Sequence, residues 1–228
     1  MFFCPVTGKY LFKGLQEMQN EKQIHIKVDT PRIVAAGISD LGTQRSENED
    51  SIWVEDSGLV LVVADGMGGH ERGAEASQTV IEVIRKRLSP ETIKQEMDDV
   101  TAMIEVPAEI SRLFPIINRA VDQAASTVYE RNQELKLERY MGTTVVGLVL
   151  VEDDHVLWFH VGDSRLYRWR DCRLEQLTTD HSAHALWEKE GRVGKEPRKN
   201  IITRAIGPNP FLQEMNWDER EKDDKFIL

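Results

Sequence analysis

The chain has 228 residues, 40% of them hydrophobic, enough for one sizeable core and short for two. A formal net charge of -10 argues against a nucleic-acid partner, because a phosphate backbone would be repelled over most of the molecule. Two cysteines, Cys4 and Cys172, are too few and too widely spaced for a disulfide framework or a zinc cluster. No run approaches the roughly 20 apolar residues of a membrane span, so the expectation is a cytoplasmic protein with free thiols.

Residues 1–30 keep neither a helical nor a strand period and read as an N-terminal extension, with one short strand at Ile24–Val28; the domain proper is 31–228. "RIVAAGIS", Arg32 to Ser39, predicts a strand, followed by a polar loop carrying Arg45 to Asp50. "SIWVEDSGLVLVVAD" predicts strand, turn at Asp56-Ser57-Gly58, and a second strand. Its run Leu59–Ala64 is apolar on both faces, as in a strand buried between two layers. Ala76, Val80, Ile84 and Leu88 recur at helical spacing, and Pro90 stops the pattern. Residues 90–110 are polar and interrupted by Pro107, which predicts a variable connection with some helix. Ile117, Val121, Ala124 and Val128 then form the stripe of a longer helix running to about Leu135, with Pro115 in its first turn or at a kink.

The second half returns to strands. "TTVVGLVLV", a turn at Glu152-Asp153-Asp154, "HVLWFHVGDSRLYRW", a turn around Arg170-Asp171-Cys172 and "RLEQLT" follow one another through short connections, which makes them antiparallel hairpins. Hairpin strands with two helices that each need an apolar surface to cover imply an α+β layered domain.

Asp65 ends the buried strand and is followed by Gly66, Gly68 and Gly69, which let backbone carbonyls as well as carboxylates approach one point. Hard oxygen donors converging on a strand end suit Mg²⁺ or Mn²⁺. Glu49 and Asp50 are adjacent, so in a regular strand they face opposite ways; both serve one site only if the strand bends or one acts through water. Taken singly, Asp-Gly is a hairpin turn and Arg45 with Glu49 a solvated ion pair; it is their fixed order around one strand that points to a metal. Glu55 and Asp56 read as hairpin surface. Gly162-Asp163-Ser164-Arg165 interrupt an otherwise continuous strand, either as a β-bulge with a solvated Asp163 or as a functional loop. Thr178 and Asp180 read as caps of a helix over "HSAHALWEKEG". His70 is open between an acid, a supporting group and a polar loop residue.

The pieces "RSENED", "VVADGMGGH", "MGTT", "HVGDSRLYR", "LTTDHS" and "ITRAIG", in this order between Ile33 and Leu228, resemble the metal-dependent protein serine/threonine phosphatases of type 2C (the PPM family) in their bacterial form. The resemblance implies an antiparallel β-sandwich flanked by helices in a four-layer αββα arrangement, with a metal centre at one end. It implies that Asp65 bridges two Mn²⁺ or Mg²⁺ ions, that Glu49 and the Gly66 carbonyl hold the second, and that Asp163 belongs to a third, looser ion. Asp50 would orient metal-bound water and Arg45 would grip the substrate phosphate, its planar fork matching two oxygens.

Two departures accompany it. Met67 stands where some eukaryotic members have a histidine proposed as general acid. "DDKFIL" resembles the strand that in the family continues into Ser-Asp-Gly; the resemblance implies terminal strands and two further acidic ligands for which Asp223 and Asp224 are poor substitutes. The domain over 31–228 is therefore expected to lack its C-terminal strands and metal motifs, either as a fragment of a longer enzyme or as a naturally shortened, impaired one. The resulting expectation is a monomeric phosphatase acting on phosphorylated proteins, opposing a serine/threonine kinase, without nucleic-acid or membrane partners. The alternatives are a catalytically impaired phosphatase-like binding module and a phosphohydrolase of small esters.

Overall fold

A strand with two apolar faces needs a covering layer on each, and the architecture follows from that demand. The structure is a computed structural model and describes residues 23–30, 33–43, 45–67, 71–97, 107–151, 155–208, 214–219 and 225–228. Cys4, His70, Gly68, Gly69, the turn at 152–154, Asp223 and Asp224 lie outside the described residues.

β1 (Gln23–Asp29) and β2 (Val34–Asp40) pair antiparallel along their whole length. β3 (Asp50–Val54) and β4 (Val60–Met67) form the next antiparallel pair. Glu55 turns out to be buried in the turn between them, where its carboxylate accepts from the Ser57 amide (2.9 Å) and from the Ser57 hydroxyl, so it is part of the turn's own hydrogen bonding and not surface. Helices α1 (Glu71–Arg87), α2 (Pro90–Met97) and α3 (Ala108–Glu134) follow. Pro107 takes the N-cap position of α3, and Pro115 lies well inside that helix, past its first turn. β5 (Gly142–Thr143), β6 (Val145–Val151) and β7 (His155–Val161) return to strand. β8 (Tyr167–Arg170), β9 (Arg173–Gln176), the short helix α4 (Ala183–Lys189), β10 (Glu214–Glu219) and β11 (Lys225–Ile227) complete the described elements.

The main sheet runs β10-β7-β6-β4-β3, with β5 beside the end of β4; β1-β2 and β11-β8-β9 form two smaller sheets. Alternation along the central strands sorts their side chains. Val60, Val62, Val145, Val149, Leu157, Phe159 and Val161 face Ala76, Val80 and Ile84 of α1 and Ile117, Ala120, Val121 and Ala124 of α3. Val146, Leu148, Leu150, Val156 and Trp158 face the opposite way, toward Phe226 of β11 and toward Leu166 and Ile33, which directly precede β8 and β2. The described residues therefore stack as helices, main sheet and second sheet layer, an antiparallel sandwich with a helical flank. No helix among them is long and apolar enough to cross a membrane.

The single strand expected over 155–169 is two. β7 ends at Val161 in the main sheet, Gly162 adopts φ +108°, and β8 begins at Tyr167 in the other sheet. Gly162 and Asp163 thus mark a passage between sheets in place of a bulge. Asp171 and Cys172 both take positive φ (48° and 59°) in the tight turn between β8 and β9, and Cys172 is exposed there as a free thiol.

Asn132, fully buried near the end of α3, clasps the chain beyond it. Its amide donates to the carbonyls of Met141 (2.9 Å) and Gly207 (3.2 Å), and its oxygen accepts from the Met141 N–H (2.9 Å). Asn132→Ala leaves these buried backbone groups unpaired, and urea unfolding should show a loss of roughly 2–3 kcal/mol.

Candidate metal and phosphate site

β4 alternates so that Leu61 and Val63 point into the space between the sheets, and the next residue in that row is Asp65. Where the apolar row ends, a carboxylate takes its place. Asp50 is its direct cross-strand partner, so two acids share one face at the end of the β3-β4 pair. Burial, and after it the charge of Asp50, push the Asp65 carboxyl up to about 6; Arg45 acts in the opposite direction, and Asp163 adds to the rise. Three of the residues anticipated for the site, Asp50, Arg45 and Asp163, are therefore close enough to Asp65 for their charges to act on it.

Glu49 reaches the same strand end from the side of α1. It belongs to the alternate row, with Ser51, that faces α1, and its Oε1 lies where a Cβ on Gly73 would be only 2.3 Å away. Its Oε2 accepts from Arg45 Nη1 at 2.7 Å, and its carbonyl accepts from the Gly66 N–H (3.1 Å) and the Ser77 hydroxyl (2.6 Å). Gly66 is wedged against α1: a Cβ there would come within 2.1 Å of the Gly73 carbonyl oxygen. Two glycines thus let β4 and the first turn of α1 touch around the Glu49 carboxylate. Glu49 and Asp50 thus leave the chain on opposite sides, Glu49 toward the first turn of α1 and Asp50 toward Asp65, while Arg45 acts on both Glu49 and Asp65.

Asp163 enters from the passage between sheets. Burial raises its carboxyl pKa, its own backbone N–H counters this, Asp180 adds to the rise, and Arg165 opposes it. Thr144 joins this passage to Asp65. Its hydroxyl accepts from the Asp65 N–H (3.1 Å) and lies 2.6 Å from the Ser164 hydroxyl, while its N–H donates to the Asp65 carbonyl (2.9 Å). Thr178 and Asp180 do not cap α4. Ser182 does, accepting from the Ala185 N–H at 3.1 Å, while Thr178 accepts from the Leu166 N–H and Asp180 takes a two-pronged contact from Arg165 (2.8 and 2.6 Å). An open polar pocket of about 610 Å³ follows, lined by Asp163, Arg165, Asp180, His184, Glu188 and Lys199 among others.

The donors are hard oxygens, and Glu49 Oε1 is buried with no hydrogen-bond partner, which suits a divalent cation of the Mg²⁺ or Mn²⁺ kind. Among the described residues, however, no three acids, histidines or cysteines converge as a complete ligand set.

A sequence model of protein phosphatase 2C matches residues 43–193, a range that holds Arg45, Glu49, Asp50, Asp65, Gly66 and Asp163. The chain belongs to the protein phosphatase 2C family. The serine/threonine phosphatase stp of Listeria monocytogenes serovar 1/2a is 33% identical over 177 residues, covering 74% of this chain and 65% of that one. The chain thus spans just under two thirds of the length of that relative. The serine/threonine phosphatase PstP/Ppp of Mycobacterium tuberculosis shares the fold with a TM-score of 0.66 at 25% identity, over 90% of this chain and 76% of that one. The catalytic domain of the serine/threonine phosphatase PstP in complex with two manganese ions aligns at a TM-score of 0.60 and 26% identity, over 90% and 74% of the two chains.

In this phosphatase 2C chain, Thr144 and His181 are the structural members of the site to which the residue pattern alone assigns no role. A signal for Thr144 is present, a threonine pair at the head of a fully apolar strand; His181 lies in the piece "LTTDHS", but nothing in the pattern points to its partner, a backbone amide far off in the sequence. The Asp65 shift has a consequence for stability. A carboxyl whose folded pKa is raised from 3.8 to about 6 binds its proton more tightly in the folded state. Its charge therefore weakens the fold progressively between about pH 4 and pH 6, and fully above that range. Asp65 is solvent-accessible, so screening reduces the effect. Asp65→Asn should raise the melting temperature of the protein in chelator at pH 7.5, with the gain fading below about pH 4 in paired thermal melts.

Proposed function

We propose that this chain carries the chemistry of a metal-dependent protein serine/threonine phosphatase of the cytoplasm, monomeric and using manganese or magnesium, with phosphorylated proteins made by a serine/threonine kinase as substrates. The observation that carries the reading is the pair Asp50 and Asp65, two carboxyls opposed on one face beside Asp163 and Arg45. Support comes from the manganese-bound PstP neighbour and from relatives that are serine/threonine phosphatases.

Asp65, with Glu49, the Gly66 carbonyl and Asp163, would hold the metal ions, and Asp50 would orient the attacking water. A bound ion supplies Lewis acidity, polarising phosphoryl oxygens and lowering the pKa of a coordinated water toward neutrality. Arg45 is exposed and tethered through one nitrogen to Glu49, which leaves the rest of its fork to meet two phosphate oxygens. Hydrolysis breaks the bond between phosphorus and the seryl or threonyl oxygen and forms one from phosphorus to water oxygen. Met67 offers no proton, so the proton that the leaving oxygen gains comes from water or from another residue.

A second reading, a phosphatase-like module that binds phosphoproteins with little turnover, is favoured by the lack of a converging three-acid set among the described residues. Manganese-stimulated hydrolysis of an aryl phosphate and a phosphothreonine peptide decides between them. The phosphatase reading expects turnover that chelation abolishes, that Asp65→Asn lowers on the order of a thousandfold, and that Arg45→Lys lowers roughly 10- to 100-fold in kcat/KM. Peptide binding without turnover would establish the module instead, and turnover confined to the aryl ester would exclude a protein substrate.

A further inference from the structure

The passage between sheets that delivers Asp163 is held by a histidine. Gly162 donates its N–H to His181 Nδ1 at 3.1 Å, and the His181 N–H donates back to the Gly162 carbonyl at 2.9 Å. Since Nδ1 accepts, the neutral ring carries its proton on Nε2. His181 is 6% exposed, and its ring stacks on His160 at 4.5 Å and 20°. His160 is fixed in turn by a 2.9 Å contact between Nε2 and the Thr179 carbonyl. The backbone of His181 is anchored as well, its carbonyl accepting from the Thr203 N–H at 2.8 Å.

On the other side Gly162 presses on Thr144: a Cβ there would lie 2.6 Å from Thr144 Cγ2, so this φ of +108° is open only to glycine at this spacing. Gly162 is thus gripped between Thr144, which also holds Asp65, and His181. The residue after it is Asp163.

We propose that His181 is a positioning residue: by accepting the Gly162 N–H it fixes the backbone that carries Asp163 and so sets where that carboxylate stands relative to Asp65. The inference rests on the metal-dependent reading above and adds a supporting member to the same site. A histidine that only fills space would contribute through its stacked ring; a positioning histidine contributes through its acceptor nitrogen.

Two substitutions in the full chain separate these roles. His181→Phe keeps a ring for His160 to stack on and removes the acceptor, whereas His181→Asn keeps an acceptor near the Nδ1 position and removes the ring. Manganese binding is followed by calorimetry and by the spin-resonance signal of free Mn²⁺, with Asp163→Asn and Asp65→Asn assigning the binding steps, and melting temperatures are recorded in chelator. The expected result is that His181→Phe weakens the Asp163-dependent step by about tenfold or more, leaves the Asp65-dependent step within about twofold, and that His181→Asn stays close to wild type in both. Should the phenylalanine variant not fold, His181→Gln, whose amide reaches the Nε2 position and leaves the Gly162 N–H without its acceptor, takes its place with the same expected result. Unchanged manganese binding in the acceptor-less variants, or a loss that follows melting temperature and not the acceptor, overturns the proposal. An Asp65-dependent step with no Asp163-dependent step overturns this inference alone; no manganese binding at all overturns it together with the metal-dependent reading.

Discussion

Asp50 and Asp65 stand opposite one another in an antiparallel register that cannot slip. Ile52, on the same face as Asp50, meets Gly37 of β2, and Leu61 and Val63, on the same face as Asp65, pack into the inter-sheet core. A shift of one residue would turn all of these apolar side chains to the wrong face, a loss of several times the ~1.5–3 kcal/mol that one buried aliphatic side chain contributes. Mutual repulsion of two partly screened carboxylates is smaller than that. Hydrophobic burial along the strands therefore enforces an unfavourable arrangement at their end, where desolvation first and the charge of Asp50 second push the Asp65 carboxyl up to about 6.

The same logic places the other members of the cluster. Thr144 separates β5 from β6 and turns its hydroxyl to the Asp65 amide and to Ser164, so a single side chain spans the seam between β4 and the passage into the second sheet. A site at such a seam draws residues from both layers without either sheet having to deform. Arg45 and Glu49 arrive from the loop before β3, and their ion pair rests on the contact of Gly66 with Gly73, which brings α1 against the strand end.

Much of this is legible in the residue pattern, and the failures share a cause. Strand and helix positions follow from apolar periods, and the alternation rule by itself sends Glu49 and Asp50 to opposite sides of the strand end. Tyr167–Trp169 look like a continuation of β7 because the apolar and aromatic pattern runs on through Leu166, and nothing local announces that Gly162 takes a positive φ to change sheets. Thr178 and Asp180 are good capping types, but Leu166 and Arg165, more than ten residues away, claim them first, and Ser182 is left to cap α4. Glu55 has the composition of a turn surface and is buried because its own turn supplies its donors. Each of these depends on a partner supplied by the folded backbone, which periodicity does not encode.

Energetically the site and the fold pull in opposite directions. The charge on Asp65 is unfavourable in the folded chain at neutral pH, and a cation held by Asp65 would reverse that sign: the carboxylate would then face an opposite charge in a partly desolvated setting. Any ligand that binds the folded state alone stabilises it in proportion to the logarithm of its concentration over Kd. Such a cation need not repay the ordering of its ligands, because the core already holds them against their own repulsion. Preorganisation of this kind raises affinity by making the empty site less stable, and its reach is set by how firmly each acid is held. Asp50 and Asp65 are locked by strand register, whereas Asp163 hangs on two contacts at Gly162 and one at Ser164. The firmness of Asp163 thus depends on two side-chain contacts and one main-chain bond, and that of the Asp50–Asp65 pair on the sheet itself.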